Sequence, residues 1–258
     1  MTGSWLLRFV PREHATGRIF CFPYAGVGAS IYRHWSPPFM EQVEVCAVQL
    51  PGREGRFREA PLTSVAEIVT FLAAELQPFL DRPFAFFGHS MGAVIAYELA
   101  QKLGEIDAPL PAHLFLSGRR APRMADTRQP LHVLSDEDFL AEIMRRYGGI
   151  PDEVLNEPEL LDLLLPSLRA DIKALETHSP AARQALDCPI SVFGGEDDPL
   201  ALRDELEAWA YETTGPFSLR LFPGGHFFLG QHRDALLRDI AASFAPLLAS
   251  RARTALAL

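Results

Sequence analysis

Ser90 lies between two glycines in the segment Gly88-His89-Ser90-Met91-Gly92, which is a Gly-x-Ser-x-Gly pattern. Residues 82–87 form a short aromatic and apolar run that is typical of a buried strand, and residues 93–100 begin a helical pattern. A strand that turns directly into a helix lifts the serine hydroxyl on a sharp elbow, and the two glycines leave room for strand and helix to close together. The pattern therefore predicts a nucleophilic serine rather than an ordinary strand-to-helix turn.

A serine nucleophile needs a base to take its proton and an acid to hold the tautomer of that base. His226 follows a predicted strand and two glycines, which allow its loop to approach the serine closely. Asp197 and Asp198 both follow another predicted strand and compete for the acid role; we favour Asp198, which precedes Pro199. The order serine, aspartate, histidine is that of the α/β-hydrolases.

Other groups that could do chemistry are assigned structural roles. His89 is expected to pack inside the elbow, and His232 to lie at a helix start. The three cysteines lie beside apolar residues and match no zinc spacing, so we expect buried, inert thiols. No His-Glu-x-x-His segment or Cys/His cluster occurs in the sequence, and no catalytic metal is predicted.

A glycine-rich loop at residues 23–30 follows the predicted strand at residues 17–22. Such loops offer bare backbone N–H groups to a nucleotide phosphate or to an oxyanion. The loop lacks the third glycine of a dinucleotide-binding pattern, and a serine elbow follows it, so we favour an oxyanion hole. The donors would be the N–H of Met91 and an N–H near Ala25.

The elements that must position these residues alternate between strand and helix. Strands are predicted at residues 5–10, 17–22, 43–50, 82–87, 113–117, 188–193 and 217–222. Helices are predicted at residues 62–80, after the elbow, and at residues 201–211 and 234–248. This alternation indicates an α/β fold with a mostly parallel central sheet flanked by helices, in which the serine, acid and base lie at one sheet edge.

Residues 135–178 interrupt the alternation with helical patterns only. Ser135 and the acidic residues after it predict a capped helix start, and Pro166 is expected to end or kink the second helix. An insertion at this point lies over the carboxyl ends of the strands, so we predict a helical lid or acyl pocket. The expected substrate contacts are Tyr24, Leu163, Leu164 and Phe227.

Length and composition favour one domain that spans residues 1–258. The net charge is −9, which disfavours nucleic-acid binding. The sequence shows neither a signal-peptide pattern nor an apolar run of membrane-spanning length. We therefore expect a cytoplasmic protein without a membrane or nucleic-acid partner.

Segments along most of the chain resemble a known family. They are Phe22-Pro23-Tyr24-Ala25-Gly26, Gln49-Leu50-Pro51-Gly52-Arg53-Glu54, Gly88-His89-Ser90-Met91-Gly92, Leu168-Arg169-Ala170-Asp171, Gly195-Glu196-Asp197-Asp198-Pro199 and Gly225-His226-Phe227-Phe228. Together they resemble the type II thioesterases of polyketide and nonribosomal peptide biosynthesis. The elbow is shared by many hydrolases, whereas the Pro-aromatic-Ala-Gly and Gln-Leu-Pro-Gly-Arg segments are more specific.

The resemblance implies an α/β-hydrolase that removes stalled or wrongly primed acyl groups from the phosphopantetheine arm of acyl or peptidyl carrier proteins. It implies Ser90 as nucleophile, His226 as base and Asp198 as its orienting acid, with Met91 and Ala25 as oxyanion donors. The enzyme would need no cofactor, because the phosphopantetheine belongs to the partner. A chain-releasing or acyl-CoA thioesterase has the same chemistry, and an inactive hydrolase-fold binding protein is disfavoured because all three residue types are present.

Loop arginines are the expected contacts for an acidic carrier protein. The alternative interpretation is a solvated basic patch. Carrier proteins are usually acidic and this chain is also net negative, so any attraction must be local. The candidates are Arg53, Arg56, Arg119, Arg120 and Arg123.

Overall fold

The computed structural model describes residues 4–39, 41–181 and 183–255, with side chains described up to Leu248 apart from Asp152. Within these residues the strands form one seven-stranded sheet in the order β1-β3-β2-β4-β5-β6-β7. β1 is antiparallel to β3, and every other pair is parallel. The strands are β1 Leu6–Leu7, β2 Gly17–Phe22, β3 Val43–Val48, β4 Phe84–His89, β5 His113–Ser117, β6 Ile190–Gly195 and β7 Phe217–Phe222.

Eight α-helices are described in the same ranges. They are α1 Val65–Glu75, α2 Met91–Glu105, α3 Asp136–Arg146, α4 Asp152–Leu155, α5 Pro158–Glu176, α6 Arg203–Glu207, α7 Phe228–Gln231 and α8 Arg233–Ala255. Short 3-10 turns cover Ala29–Tyr32, Pro37–Phe39, Glu54–Arg56, Gln77–Phe79 and Ala208–Glu212. Among the described helices, none is both long and apolar enough to cross a membrane. The α/β class and the mostly parallel sheet predicted from the sequence are confirmed.

Successive side chains of the central strands fill two different cores, because neighbouring residues of a strand point to opposite faces of the sheet. In β4, Phe84 and Phe86 pack with α1 and α2 on one face, whereas Phe87 packs with α8 on the other. All six residues of β4 are buried. This explains why its sequence is continuously apolar instead of alternating.

Two predicted strands, at residues 82–87 and 188–193, begin and end two residues later in the structure. Both strands lead directly into loops that carry predicted site residues. β4 continues to His89, where it pairs with Ser117 of β5. β6 continues to Gly195, where it pairs with Phe222 of β7. Pairing with the neighbouring strand therefore carries each strand to the edge where the chemistry-bearing loops begin.

The insertion contains α3, α4 and α5, and its first helix starts as predicted, with the Ser135 side chain accepting the N–H of Asp138 at 3.2 Å. Of the two outcomes expected at Pro166, an end or a kink of the helix, the first is wrong, because α5 runs through the proline. Proline removes one amide donor, whose acceptor would be the carbonyl of Asp162. Asp162 is an exposed residue, so water can satisfy that carbonyl.

Candidate active site

The backbone at Ser90 adopts a conformation that few non-glycine residues occupy, with φ 52° and ψ −111°. A Cβ atom on Gly88 would lie 2.0 Å from the Gly92 carbonyl oxygen, and one on Gly92 would lie 2.1 Å from the Phe22 carbonyl oxygen. Both contacts are with backbone, which cannot move aside as a side chain can. The Ser90 N–H donates to the Ser117 carbonyl at 2.8 Å and fixes the elbow to β5. The glycines therefore serve the close approach that the sequence predicted.

His226 and Asp198 form a buried pair. The distance between His226 Nδ1 and Asp198 Oδ2 is 2.8 Å, and the two residues are 6% and 3% exposed. The other carboxylate oxygen of Asp198 accepts the N–H of Leu200 at 2.9 Å, so both oxygens are engaged. Asp197 is exposed. The geometry thus favours Asp198 over Asp197 as the partner of the imidazole.

Ser90 and His226 line the same cavity, of about 240 Å³. Among the described residues, the Ser90 hydroxyl makes no hydrogen bond to the imidazole. His226 is surrounded by other rings, with centroid distances of 4.9 Å to His89, 5.1 Å to Phe227 and 5.7 Å to Tyr147. These ring contacts restrict the orientations that the imidazole can adopt.

His89 packs between the elbow and β5, next to the His226 ring. It is fully buried, and its Nδ1 lies 2.9 Å from the Ser117 hydroxyl. Burial, and to a smaller extent the neighbouring His226, lowers the pKa of His89 well below its usual value. The ring is therefore neutral near pH 7, which agrees with its predicted structural role.

The loop at residues 24–27 brings Ala25 to the cavity wall. The Gly26 N–H is already used, because it donates to Asp171 Oδ2 at 2.8 Å. The Ala25 N–H has no acceptor in the part of the chain that the structure describes, and Met91 opens α2, where the first amides of a helix lack intrahelical acceptors. These two amides remain available to an oxyanion.

Helices of the insertion supply much of the cavity wall. Two of the four predicted substrate contacts, Tyr24 and Phe227, line the cavity from the sheet edge, and Leu164 lines it from α5. The fourth prediction is corrected: Leu163 does not line the cavity and is 62% exposed. The two leucines are adjacent on a helix and so point in directions about 100° apart.

Further residues of the wall were missed by the sequence analysis. Tyr147 and Ile143 lie one helical turn apart, and Leu164, Leu168 and Ile172 repeat every four residues along α5. That spacing was the available signal, because residues four apart share one face of a helix. It was not recognised because the neighbouring leucines of α5 lie on more than one helix face.

Two of the arginines expected at the surface are buried. Arg53 is 5% exposed, and its two terminal nitrogens lie 2.5 and 2.8 Å from the carboxylate oxygens of Asp171 in α5. Arg56 is also 5% exposed; it pairs with Glu59 and lies over the ring of Trp5. Both the solvated-patch and the carrier-contact interpretations are therefore wrong for these residues, because neither guanidinium is accessible.

The second arginine group is also less exposed than expected. Arg120 is 9% exposed and pairs with Glu205 at 3.3 Å, which corrects its assignment as a carrier contact. Arg123 has a side chain that is 46% exposed but pairs with Glu212 at 2.7 Å. Arg119 is half-buried.

The three cysteines are free and buried. Burial raises the pKa of both the Cys46 and the Cys188 thiols to about 12, so neither forms a thiolate near neutral pH. This agrees with their predicted inert role. Across the described residues, no group of three or more His, Cys, Asp or Glu side chains is arranged to hold a metal ion.

Comparison with known proteins places this geometry in a family. The thioesterase-domain family model matches residues 17–244. The gramicidin S biosynthesis protein GrsT of Aneurinibacillus migulanus is 40% identical over 248 residues, which are 96% of each chain. The thioesterase RedJ of the prodiginine pathway in Streptomyces coelicolor has a TM-score of 0.84 and 40% identity, covering 90% of this chain and 92% of its own.

A second solved structure, the type II thioesterase BorB from the borrelidin biosynthetic cluster, has a TM-score of 0.85 and 38% identity, covering 94% of this chain and 99% of its own. This family is the one that the sequence motifs resemble. Nearly the whole length of each of these three relatives aligns with this chain. The chain is therefore a member of the thioesterase family, a serine hydrolase with the α/β-hydrolase fold.

Proposed function

We propose that this protein is a stand-alone editing thioesterase that hydrolyses acyl groups from the phosphopantetheine arm of carrier proteins in a polyketide or nonribosomal peptide pathway. The observation that carries the proposal is the site itself: a serine on a strained elbow and an aspartate-paired histidine line one apolar cavity. Near-complete coverage by relatives from such pathways supports the choice of substrate.

In the proposed first step, the Ser90 hydroxyl attacks the thioester carbonyl carbon while His226 Nε2 takes the hydroxyl proton. The carbonyl oxygen becomes an oxyanion that accepts the N–H groups of Met91 and Ala25. Collapse of this intermediate breaks the carbon–sulfur bond, and the leaving thiolate receives the proton from His226. An acyl-serine ester remains.

In the second step, His226 takes a proton from a water molecule, whose oxygen attacks the acyl-serine. Collapse returns the proton to Ser90 and releases the carboxylic acid. Asp198 keeps its charge throughout, because it holds the imidazole tautomer and stabilises the imidazolium without taking the proton. The first step needs a hydrogen bond from the Ser90 hydroxyl to His226, and such a bond in hydrolases often tightens only when substrate binds.

The proposal gives the chain itself no cofactor, since the phosphopantetheine is carried by the partner. The partner would be an acidic acyl or peptidyl carrier protein, and the expected compartment is the cytoplasm. Arg53, Arg56 and Arg120 have no part in docking because they are buried. Of the arginines first considered, Arg123 is the exposed one, and a carrier carboxylate would have to compete with Glu212 for it.

The test is hydrolysis of an acyl carrier protein by native protein and by Ser90→Ala. We expect Ser90→Ala to lower kcat by a factor on the order of 10⁴–10⁶, because removal of the nucleophile removes the covalent pathway. Ser179→Ala, at an exposed position away from the cavity, is the matched control and should keep native turnover. A fluorophosphonate probe should label the native protein and the control but not Ser90→Ala.

Three results would change the assignment. Retained turnover in Ser90→Ala would refute the mechanism. Equal kcat/KM on acyl-CoA and on the matching acyl carrier protein would replace the editing function with a general acyl-CoA thioesterase. Failure of native protein to react with the probe would favour an inactive binding protein.

A further inference from the structure

A second cavity, of about 270 Å³, adjoins the catalytic one. Tyr147, Ile172 and Leu175 line both cavities, so these side chains form the partition between them. The second cavity is more polar than the first and receives several charged side chains from α2, the loop after β5 and the insertion. A charged group of a substrate bound in the catalytic cavity would therefore lie near these side chains.

Most charges around this second cavity are paired within the protein. Arg128 pairs with Asp126 at 2.6 Å, and Arg146 with Glu142 at 3.0 Å. The acidic residues are paired as well, since Glu98 contacts His178 and Arg183, and Glu176 contacts His132 at 2.7 Å. Each of these side chains therefore has an ionic or hydrogen-bonded partner within the protein.

Arg119 is the exception. It is half-buried and lines the second cavity, and its guanidinium makes no hydrogen bond or ion pair with any residue that the structure describes. Asp126 attracts it only from beyond ion-pair distance, and burial lowers the pKa of the guanidinium below its usual value. An arginine stays protonated despite such a shift, so a cation with five N–H donors faces this cavity without an anion.

Arg119 also lies close to the reacting atoms along the backbone. Ser117 accepts the Ser90 N–H at 2.8 Å, and two residues of chain, about 7 Å at full extension, separate Ser117 from Arg119. Tyr147, on the partition, has its ring 5.7 Å from that of His226. A substrate whose thioester carbonyl lies at Ser90 therefore has the second cavity within reach of its other groups.

We propose that Arg119 and this second cavity form a subsite for an oxyanion carried by the thioester substrate. The proposal rests on the thioesterase function proposed above and specifies its substrate further. A carboxylate on the acyl chain and the phosphate of the pantetheine arm present the same chemistry, since a guanidinium binds either through two parallel N–H groups. The subsite would favour acyl groups or arms that bring such an anion.

Three substrates separate the two sources of the anion: hexanoyl-pantetheine, adipoyl-pantetheine and hexanoyl-phosphopantetheine. The acyl chain of the second ends in a carboxylate where the first has a methyl group, and the third adds only the phosphate to the first. We expect native protein to prefer one anionic substrate over the neutral one, and Arg119→Met to reduce that kcat/KM ratio by about ten- to a hundredfold, the range for a lost charged hydrogen bond. Loss on the adipoyl substrate assigns the acyl carboxylate, and loss on the phosphorylated one assigns the arm.

Arg119→Lys keeps the charge and should retain part of the preference. Arg203→Met removes an exposed arginine that lines neither cavity and should leave the ratio unchanged. Equal kcat/KM of native protein on all three thioesters would overturn the subsite whatever the variants do, as would an unchanged ratio in folded Arg119→Met. Failure of native protein to hydrolyse any of them would instead refute the proposed function, and the subsite with it.

Discussion

The sheet-edge loops and the helical insertion contribute to the same cavity but are held by different forces. At the sheet edge, backbone sterics fix Ser90, because side chains at Gly88 and Gly92 would collide with main-chain oxygens. The insertion instead packs around a separate small apolar cluster, made by Phe139, Ile143, Leu168 and Ile172 together with Leu131 of the preceding loop. It also leaves large apolar side chains such as Leu163 exposed. Backbone contacts thus position the nucleophile, whereas the insertion's part of the cavity wall is formed by side-chain packing. Substitutions in that wall should therefore destabilise the fold less than substitutions of the two glycines.

One buried ion pair joins the two regions. The carboxylate of Asp171, in the insertion, accepts hydrogen bonds from both terminal nitrogens of Arg53, which lies in the loop after β3. It also accepts the N–H of Gly26, next to the proposed oxyanion donor Ala25. Asp171 is fully buried. The position of the oxyanion loop therefore depends on where α5 packs, which makes this pair the place to test how independent the two regions are.

The largest expected effect is at the sheet edge. Asp198→Asn should lower kcat by about 10⁴, because an amide stabilises the wrong imidazole tautomer and cannot stabilise the imidazolium. Asp197→Asn is the matched control and should stay close to native activity, since that side chain is exposed. Steady-state kinetics on one acyl carrier substrate measures both. Similar losses in the two variants would contradict the assignment of Asp198.

A smaller effect is expected where the regions meet. Arg53→Met should lower the free energy of unfolding by about 3–5 kcal/mol, because it leaves the Asp171 carboxylate buried without its cation. Arg145→Met breaks an exposed pair with Glu142 on α3 and should leave the free energy of unfolding close to the native value, because water screens an exposed pair. Urea unfolding followed by circular dichroism gives both values. If Arg53→Met costs as little as Arg145→Met, the insertion does not depend on this link.

The smallest effect is expected within the insertion. Leu164→Ser should raise KM for a medium-chain acyl substrate about fivefold, because part of an apolar contact with the chain is lost. Leu163→Ser should leave KM unchanged, since that side chain faces away from the cavity. Initial-rate measurements on the two variants decide the point. A larger change in the Leu163 variant would mean that the insertion packs differently when substrate is bound.

Local signals predicted the sheet-edge region well. Strands β5 and β7 have the bounds expected from their apolar runs, and the elbow follows from two glycines around a serine. The preference for Asp198 also agrees with its pairing to His226. These features depend on residues that are close in sequence, and on the rule that parallel strands deliver their loops to one edge.

The amino-acid sequence by itself determined the α/β class, the order of serine, aspartate and histidine, and the place of the helical insertion, because strand and helix periods and glycine sterics act over a few residues. Only the tertiary structure decided which arginines are buried, which of two adjacent leucines faces the cavity, and that Arg119 has no ionic partner among the described residues. Arg53 and Asp171 are 118 residues apart, and no local pattern encodes their contact. Whether a charge meets its partner depends on how distant segments pack, and that is fixed only when the whole fold forms.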